Sequence, residues 1–286
     1  MTFHPHSASM TGTTGSLKKS QQNRHLFYYF LSSKMHNFKT DLPLIKRLIE
    51  IYEPIHCCMK KMLLFAFPVL LAAFAVTAQD RVTRNLPPFT KLYVGDRITV
   101  ELTRADRESV IVKTQGIDPA EIQTTVENNT LIIRQVGSPF NKKKVLVNLN
   151  FCILNEMEIT NGGEVSTNSL LKADSLVVTL KSGGILYLDA DLKYLKSYVI
   201  EGALLTAEGY ATLQDMVVAT YATISAYNLE SEIIHVKASS GGKAKINVES
   251  ELDALASSGG YISYKGNPEK KNITANPGTE IVVYEE

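Results

Sequence analysis

The chain has 286 residues, a formal charge of +1, 44% hydrophobic residues, three cysteines and no tryptophan. A near-neutral balance leaves no nucleic-acid footprint. The average conceals two unlike parts: residues 1–58 carry seven Lys or Arg, three acids and five of the six histidines, whereas residues 79–286 carry 21 basic and 26 acidic residues, a charge of −5.

Nothing in residues 1–58 patterns like a domain core, and this stretch reads as an over-extended or disordered leader. Met59-Lys60-Lys61-Met62, the apolar run 63–76 and Thr77-Ala78-Gln79 then follow. A basic start, a short apolar run and small residues before a cut describe a secretory signal peptide at 59–78, with Val76 and Ala78 preceding the cut. The alternative is a cytoplasmic leader with an internal signal anchor. The run is too short to favour a transmembrane helix, so the mature chain is expected to be exported, without a membrane span. No Cys sits just after the cut, so no lipid anchor is indicated. Cys152 alone remains after it, which rules out an internal disulfide. It sits in the apolar run 145–154 and reads as a buried small hydrophobe.

Beyond the cut, residues 89–94, 98–102 and 110–113 alternate as strands, with turns at Asp96 and 104–108. Asp118-Pro119 and Glu127-Asn128-Asn129 are turn signals. Strands at 130–135, 145–149 and 157–159 follow, the first two separated by a polar, basic loop at 137–144. No segment of the mature chain patterns as a helix.

From residue 159 to 262 the sequence repeats about every twenty residues. The marker is a triplet: Asn161-Gly162-Gly163, Ser182-Gly183-Gly184, Glu201-Gly202-Ala203, Thr220-Tyr221-Ala222, Ser240-Gly241-Gly242 and Ser258-Gly259-Gly260. Two places before it stand Ile159, Leu180, Val199, Val218, Ala238 and Ala256; two places after it stand Val165, Leu186, Leu205, Ile224, Ala244 and Ile262. Alternation with period two means half-buried strands, and a period near twenty means stacked units that cannot bury a face alone. The expected fold is all-β: a single-stranded, right-handed parallel β-helix or β-solenoid of about 18–21 residues per rung, preceded by a lead-in section of strands at 85–150. The rungs occupy 155–266. The glycine pairs Gly162/Gly163, Gly183/Gly184, Gly241/Gly242 and Gly259/Gly260 are expected at corners where φ is positive or a Cβ would clash. The two triplets without the pair predict middle rungs that turn differently. Asn276-Pro277-Gly278 stands in for the last triplet with the pattern slipped by one place, so 267–286 reads as a capping rung.

The exported start, the strand at 89–94, Asn128-Asn129-Thr130-Leu131-Ile132-Ile133, the Gly-rich triplets and Tyr264-Lys265-Gly266-Asn267-Pro268 together resemble one bacterial family, the putative auto-transporter adhesin, head GIN domain family of Bacteroidetes envelopes. The resemblance covers about residues 85–284 and implies an adhesive role with no catalytic residues and no cofactor.

Candidate chemistry is sparse. His235 lies between inward Ile234 and Val236, so it is expected to face solvent, which gives a triad or metal-histidine site little support. Asp189 and Asp191 flank inward Ala190, and stacking puts Glu208 beside Asp189. Asp189, Asp191 and Glu208 are therefore candidate calcium ligands, or alternatively the carboxylates of a polysaccharide hydrolase. The bland reading is solvated corner residues. Ile185, Tyr187, Tyr198, Ile200, Leu204 and Val217 are apolar at outward positions. A contiguous patch of them marks an interface, covered by the lead-in section or by a second subunit of a homo-oligomer. The leading functional reading is a non-enzymatic envelope protein that binds a surface glycan or protein. The others are a carbohydrate-active enzyme and a purely structural envelope component.

Overall fold

The computed structural model describes residues 80–137 and 144–284. Residues 1–79, where the leader and signal peptide are expected, residues 138–143 of the basic loop and residues 285–286 lie outside the described residues. In chain order, the lead-in consists of β1 (Asp80–Asn85), β2 (Lys91–Val94), β3 (Thr99–Arg104), β4 (Ser109–Thr114), β5 (Ile122–Glu127), β6 (Thr130–Gln135) and β7 (Val145–Phe151). There follow β8 (Glu156–Ile159), β9 (Glu164–Thr167), β10 (Leu171–Leu180), β11 (Ile185–Val199), β12 (Leu204–Val218), β13 (Thr223–Ala238) and β14 (Lys243–Ala256). The chain closes on β15 (Tyr261–Lys265), β16 (Lys270–Ala275) and β17 (Glu280–Val283). The only helical piece among the described residues is a 3-10 turn, Pro119–Glu121, whose N-cap Asp118 accepts from the Ala120 N–H.

The fold is a parallel β-solenoid. A rung comprises an arm that runs into a tight turn and an arm that leaves it. Each long strand carries the leaving arm of one rung, a bend, and the incoming arm of the next. The parallel register stacks inward residues into columns. One runs Ile133, Val94, Ile159, Leu180, Val199, Val218, Ala238, Ala256, Ala275. Its counterpart on the leaving arms runs Val147, Val100, Val165, Leu186, Leu205, Ile224, Ala244, Ile262, Ile281. The members from Ile133 to Ala256 and from Val147 to Ile262 are buried. Each fully buried Val, Leu or Ile stabilises the fold by roughly 1.5–3 kcal/mol, so the columns are the core.

The triplets turn the chain in one way. Both of the first two residues have positive φ: 52° and 72° at Asn161 and Gly162, 50° and 73° at Ser182 and Gly183. The third donates its N–H back across the turn, as from Gly184 to the Lys181 carbonyl at 3.0 Å. Two central residues with φ > 0 make a type I′ turn. The triplets lacking the glycine pair adopt it too, with 56° and 69° at Glu201 and Gly202, and 55° and 60° at Thr220 and Tyr221. The middle rungs therefore do not turn differently. The third residue must be small because it passes the rung above. A Cβ on Gly184 would lie 2.4 Å from the Ile159 carbonyl oxygen, and one on Gly260 2.3 Å from that of Ala238.

The lead-in does not fold over the outward apolar residues. It extends the stack, in an order the repeat does not betray. β2 and β3 form a rung with the same turn, Asp96 and Arg97 both at φ 59°. On one side this rung pairs with β8 and β9, on the other with β6 and β7. The first rung in sequence thus lies between two made later. Beyond it, β5 lies antiparallel on β6, β4 on β7 and β1 on β4, closing that end.

At the other end the phase does not slip. Ile273, Ala275, Ile281 and Val283 align with inward Ala254, Ala256, Ile262 and Tyr264. The turn is Asn276 to Thr279, with Gly278 at φ 78° and the Thr279 N–H bonded to the Asn276 carbonyl at 3.2 Å. This is one further rung rather than a closed cap. Ile273 is 40% exposed and Val283 54%.

Candidate functional site

Outward side chains on successive rungs stand about 4.8 Å apart, so they contact in ladders. Lys91 pairs with Glu156 at 2.6 Å, Lys181 with Glu158 at 2.6 Å, and Lys193 with Asp174 at 2.6 Å. Exposed pairs of this kind contribute about 0–1 kcal/mol each; their consequence is a surface with fixed side-chain positions.

The opposite corner of the rung, where each long strand bends, carries a concavity. There the inward alternation skips a place: Leu192 and Leu195 are both buried, and Lys193 drops out of the pairing between β11 and β12. Successive bends form a groove. Its larger part, about 570 Å³, is lined by residues that include Phe151, Cys152, Ile153, Lys172 and Asp174. A contiguous part of about 420 Å³ adds Asp191, Lys193 and Tyr210 and shares Arg104. Lys172 holds Asp191 at 2.8 Å, and an Arg104 guanidinium N–H reaches the Lys172 carbonyl at 3.4 Å. Tyr210 donates to Glu232 at 2.6 Å. The groove is thus lined by the ion pairs Lys172–Asp191 and Lys193–Asp174, with Arg104 and the Tyr210 ring beside them. Cys152 is half-buried on it rather than a core residue. Partial desolvation and a hydrogen bond to Glu108 push its thiol up, away from the reactive thiolate.

Asp189 and Glu208 stand opposite each other in register, as the repeat implies. Asp191 is drawn to Lys172, and its register partner is Tyr210. Among the described residues no group of three or more His, Cys, Asp or Glu is placed to hold a metal ion. The outward apolar residues divide. Ile185, Tyr187 and Leu204 lie on leaving arms, and Tyr198, Ile200 and Val217 on the other side of the turns. They form two strips flanking the turn column rather than one patch, and of the six only Tyr187 is exposed rather than half-buried, at 43%.

Two features escaped the sequence. His235 faces out as expected, but with its Nδ1 2.8 Å from Asp215 Oδ1, while Tyr194 donates to Asp215 Oδ2 at 2.5 Å. Burial pushes the Asp215 carboxyl up, yet the hydrogen bonds from Tyr194 and His235 outweigh it and hold the group below the ordinary carboxylate range. Register could have found the Asp215–His235 pair, which are partners one rung apart. The second is Gln214, fully buried in an inward column and donating to Ser231, with its Oε1 unpartnered.

These features define a parallel β-solenoid with a paired-charge corner groove. The chain belongs to the family described as putative auto-transporter adhesin, head GIN domain, whose profile matches residues 88–268. Solved structures share the fold. A putative adhesin from Bacteroides fragilis superposes with a TM-score of 0.65 at 21% identity, covering 73% of this chain and 99% of that one. A putative lipid binding protein from Parabacteroides distasonis gives 0.60 at 16% identity, over 73% and 98%. A putative adhesin from Parabacteroides merdae gives 0.55 at 16% identity, over the same shares. No curated protein matches the sequence.

Proposed function

We propose that the protein is an exported, non-enzymatic envelope adhesin module that holds a surface glycan or protein partner along the corner groove. The observation that carries this reading is the groove's chemistry. Its carboxylates Asp174 and Asp191 are ion-paired with Lys193 and Lys172, so they serve as fixed polar contacts rather than as a free acid and base. Tyr210 supplies a ring for stacking and Arg104 a planar donor fork. Stacked rungs keep these groups in place without a ligand, which lowers the ordering cost of binding. Membership of an adhesin family supports the same reading.

Protease shaving of intact native cells tests the location. Release of peptides from residues 176–265 is expected. Full protection until the outer membrane is opened sinks the adhesin reading and leaves a periplasmic role. Adherence of cells carrying R104A/Y210A tests the groove: a loss of adherence with unchanged melting and unchanged surface exposure is expected, and undiminished adherence removes the groove from the proposal.

A further inference from the structure

The two ends of the solenoid differ. Antiparallel strands close one end, whereas among the described residues nothing pairs with the outer edge of the last rung. Its two arms are not equally open. On β16, Lys271 stands in the inward column beneath Leu252 and reaches Asn267 Oδ1 at 3.0 Å. A charge at an inward position of an edge strand blocks addition of a further strand. β17 carries no such device: Ile281 and Val283 occupy inward positions, Val282 faces out, and Val282 and Val283 are exposed.

The hydrogen-bond parity of β17 is known. The N–H groups of Glu280 and Tyr284 donate inward to Gly260 and Tyr264, at 3.3 and 2.8 Å. Alternation then turns the N–H and C=O of Ile281 and Val283 outward to the free edge. We propose that β17 pairs antiparallel with β17 of a second copy about a two-fold axis through Val282. In this register Ile281 faces the second copy's Val283, and both copies present their free backbone groups there, as a hydrogen-bonded antiparallel pair requires. Val282 faces its own counterpart as the non-hydrogen-bonded pair. Inward side chains meet inward ones, so the apolar column continues across the axis. The charges also fit: the second copy's Glu280 comes opposite Tyr284, over which the Lys265 ammonium sits 4.9 Å from the ring centroid. Tyr284 is already held against Tyr227, with ring centroids 4.7 Å apart. Self-complementarity of this kind favours a second copy over an unrelated strand.

The test uses the purified full-length chain. V282C places two thiols in the close, non-hydrogen-bonded pair, within disulfide geometry. Mild oxidation is expected to give a disulfide joining position 282 of two copies, identified by mass spectrometry of the linked peptide. K243C, on the outer face of the leaving arm, is expected to give no such link. V283P removes an N–H that points away from β15 and so leaves the rung's own hydrogen bonds intact. V282K sets two ammonium groups opposite each other at an exposed position. Both variants are expected to halve the mass measured by light scattering while keeping the parent's far-ultraviolet circular dichroism, and to melt no higher than the parent, whose pairing stabilises the folded state. Should V283P fail to fold, V282K alone decides. A parent that is monomeric at high concentration, a V282C chain without the 282–282 link, or a dimer that survives V282K overturns the proposal.

Discussion

Within one rung, the first two triplet residues and the third are small for different reasons. The first two need positive φ, which costs a non-glycine residue about 1–2 kcal/mol. The third needs space against the carbonyl of the rung above. Gly183→Ala meets nothing within 4 Å, so only the φ cost of about 1 kcal/mol applies. Gly184→Ala drives a Cβ into backbone and is expected to destabilise by about 2–3 kcal/mol. Chemical denaturation of the two variants checks the order; equal losses would mean that close approach does not matter. Tyr221 is the exception in the column, a bulky residue at φ 60°, 81% exposed, with its ring over Gly241. Strain of that kind persists where a site needs the side chain. Tyr221→Asn keeps the turn with a residue that tolerates it and should stabilise the protein by about 1 kcal/mol. A lower melting temperature would show that the ring contact outweighs the strain.

Between elements, strand register does for side chains what a triad's loops do in an enzyme. It sets Asp215 on β12 beside His235 on β13, and the Tyr194 hydroxyl, from two places before Asp215's register partner Lys196 on β11, reaches the same carboxylate. Because the folded Asp215 carboxyl titrates below its unfolded value, near 4, its stabilising effect is present above that pH. It is lost as the pH falls through the folded value. Asp215→Asn should therefore melt lower than the parent at neutral pH, and the gap should close below about pH 4. A gap that persists in acid would mean that the carboxylate's charge is not what the trio uses. The sequence showed the inward columns beside the turns clearly, because period-two alternation and the triplets fix the inward residues on either side of each turn from Ile159 to Ile262. It did not show the corner groove, since bends at 192–194 and 211–213 interrupt the alternation without a Gly or Pro to mark each one. Nor did it show Gln214, which breaks an apolar column only once register is known.

At the scale of the whole described unit, stability adds rung by rung through nearest neighbours. The interior rungs of β11 to β14 are bounded on both sides, whereas β16 and β17 have one neighbour each. Amides of β16 should therefore exchange with deuterium before those of β12 and β13, measured by mass spectrometry of peptic peptides. Uniform exchange along the stack would indicate a single cooperative unit. For β17, slower exchange at higher protein concentration is the companion expectation of strand pairing between copies.

The displaced first rung has a consequence for how the chain is made. Residues 91–104 emerge before either neighbour exists. One of their two partners, β6 with β7, ends at Phe151, and the other, β8 with β9, ends at Thr167. The seam between β3 and β7 joins residues such as Glu101 and Asn148, whose side chains hydrogen-bond at 2.5 Å. A newly made chain cannot wind up turn after turn from its front. Its N-terminal clasp shuts only after the strands that end at Phe151 and Thr167 have been made, and the later turns then wind onto a template already closed. Until then residues 91–104 are without the strands they pair with.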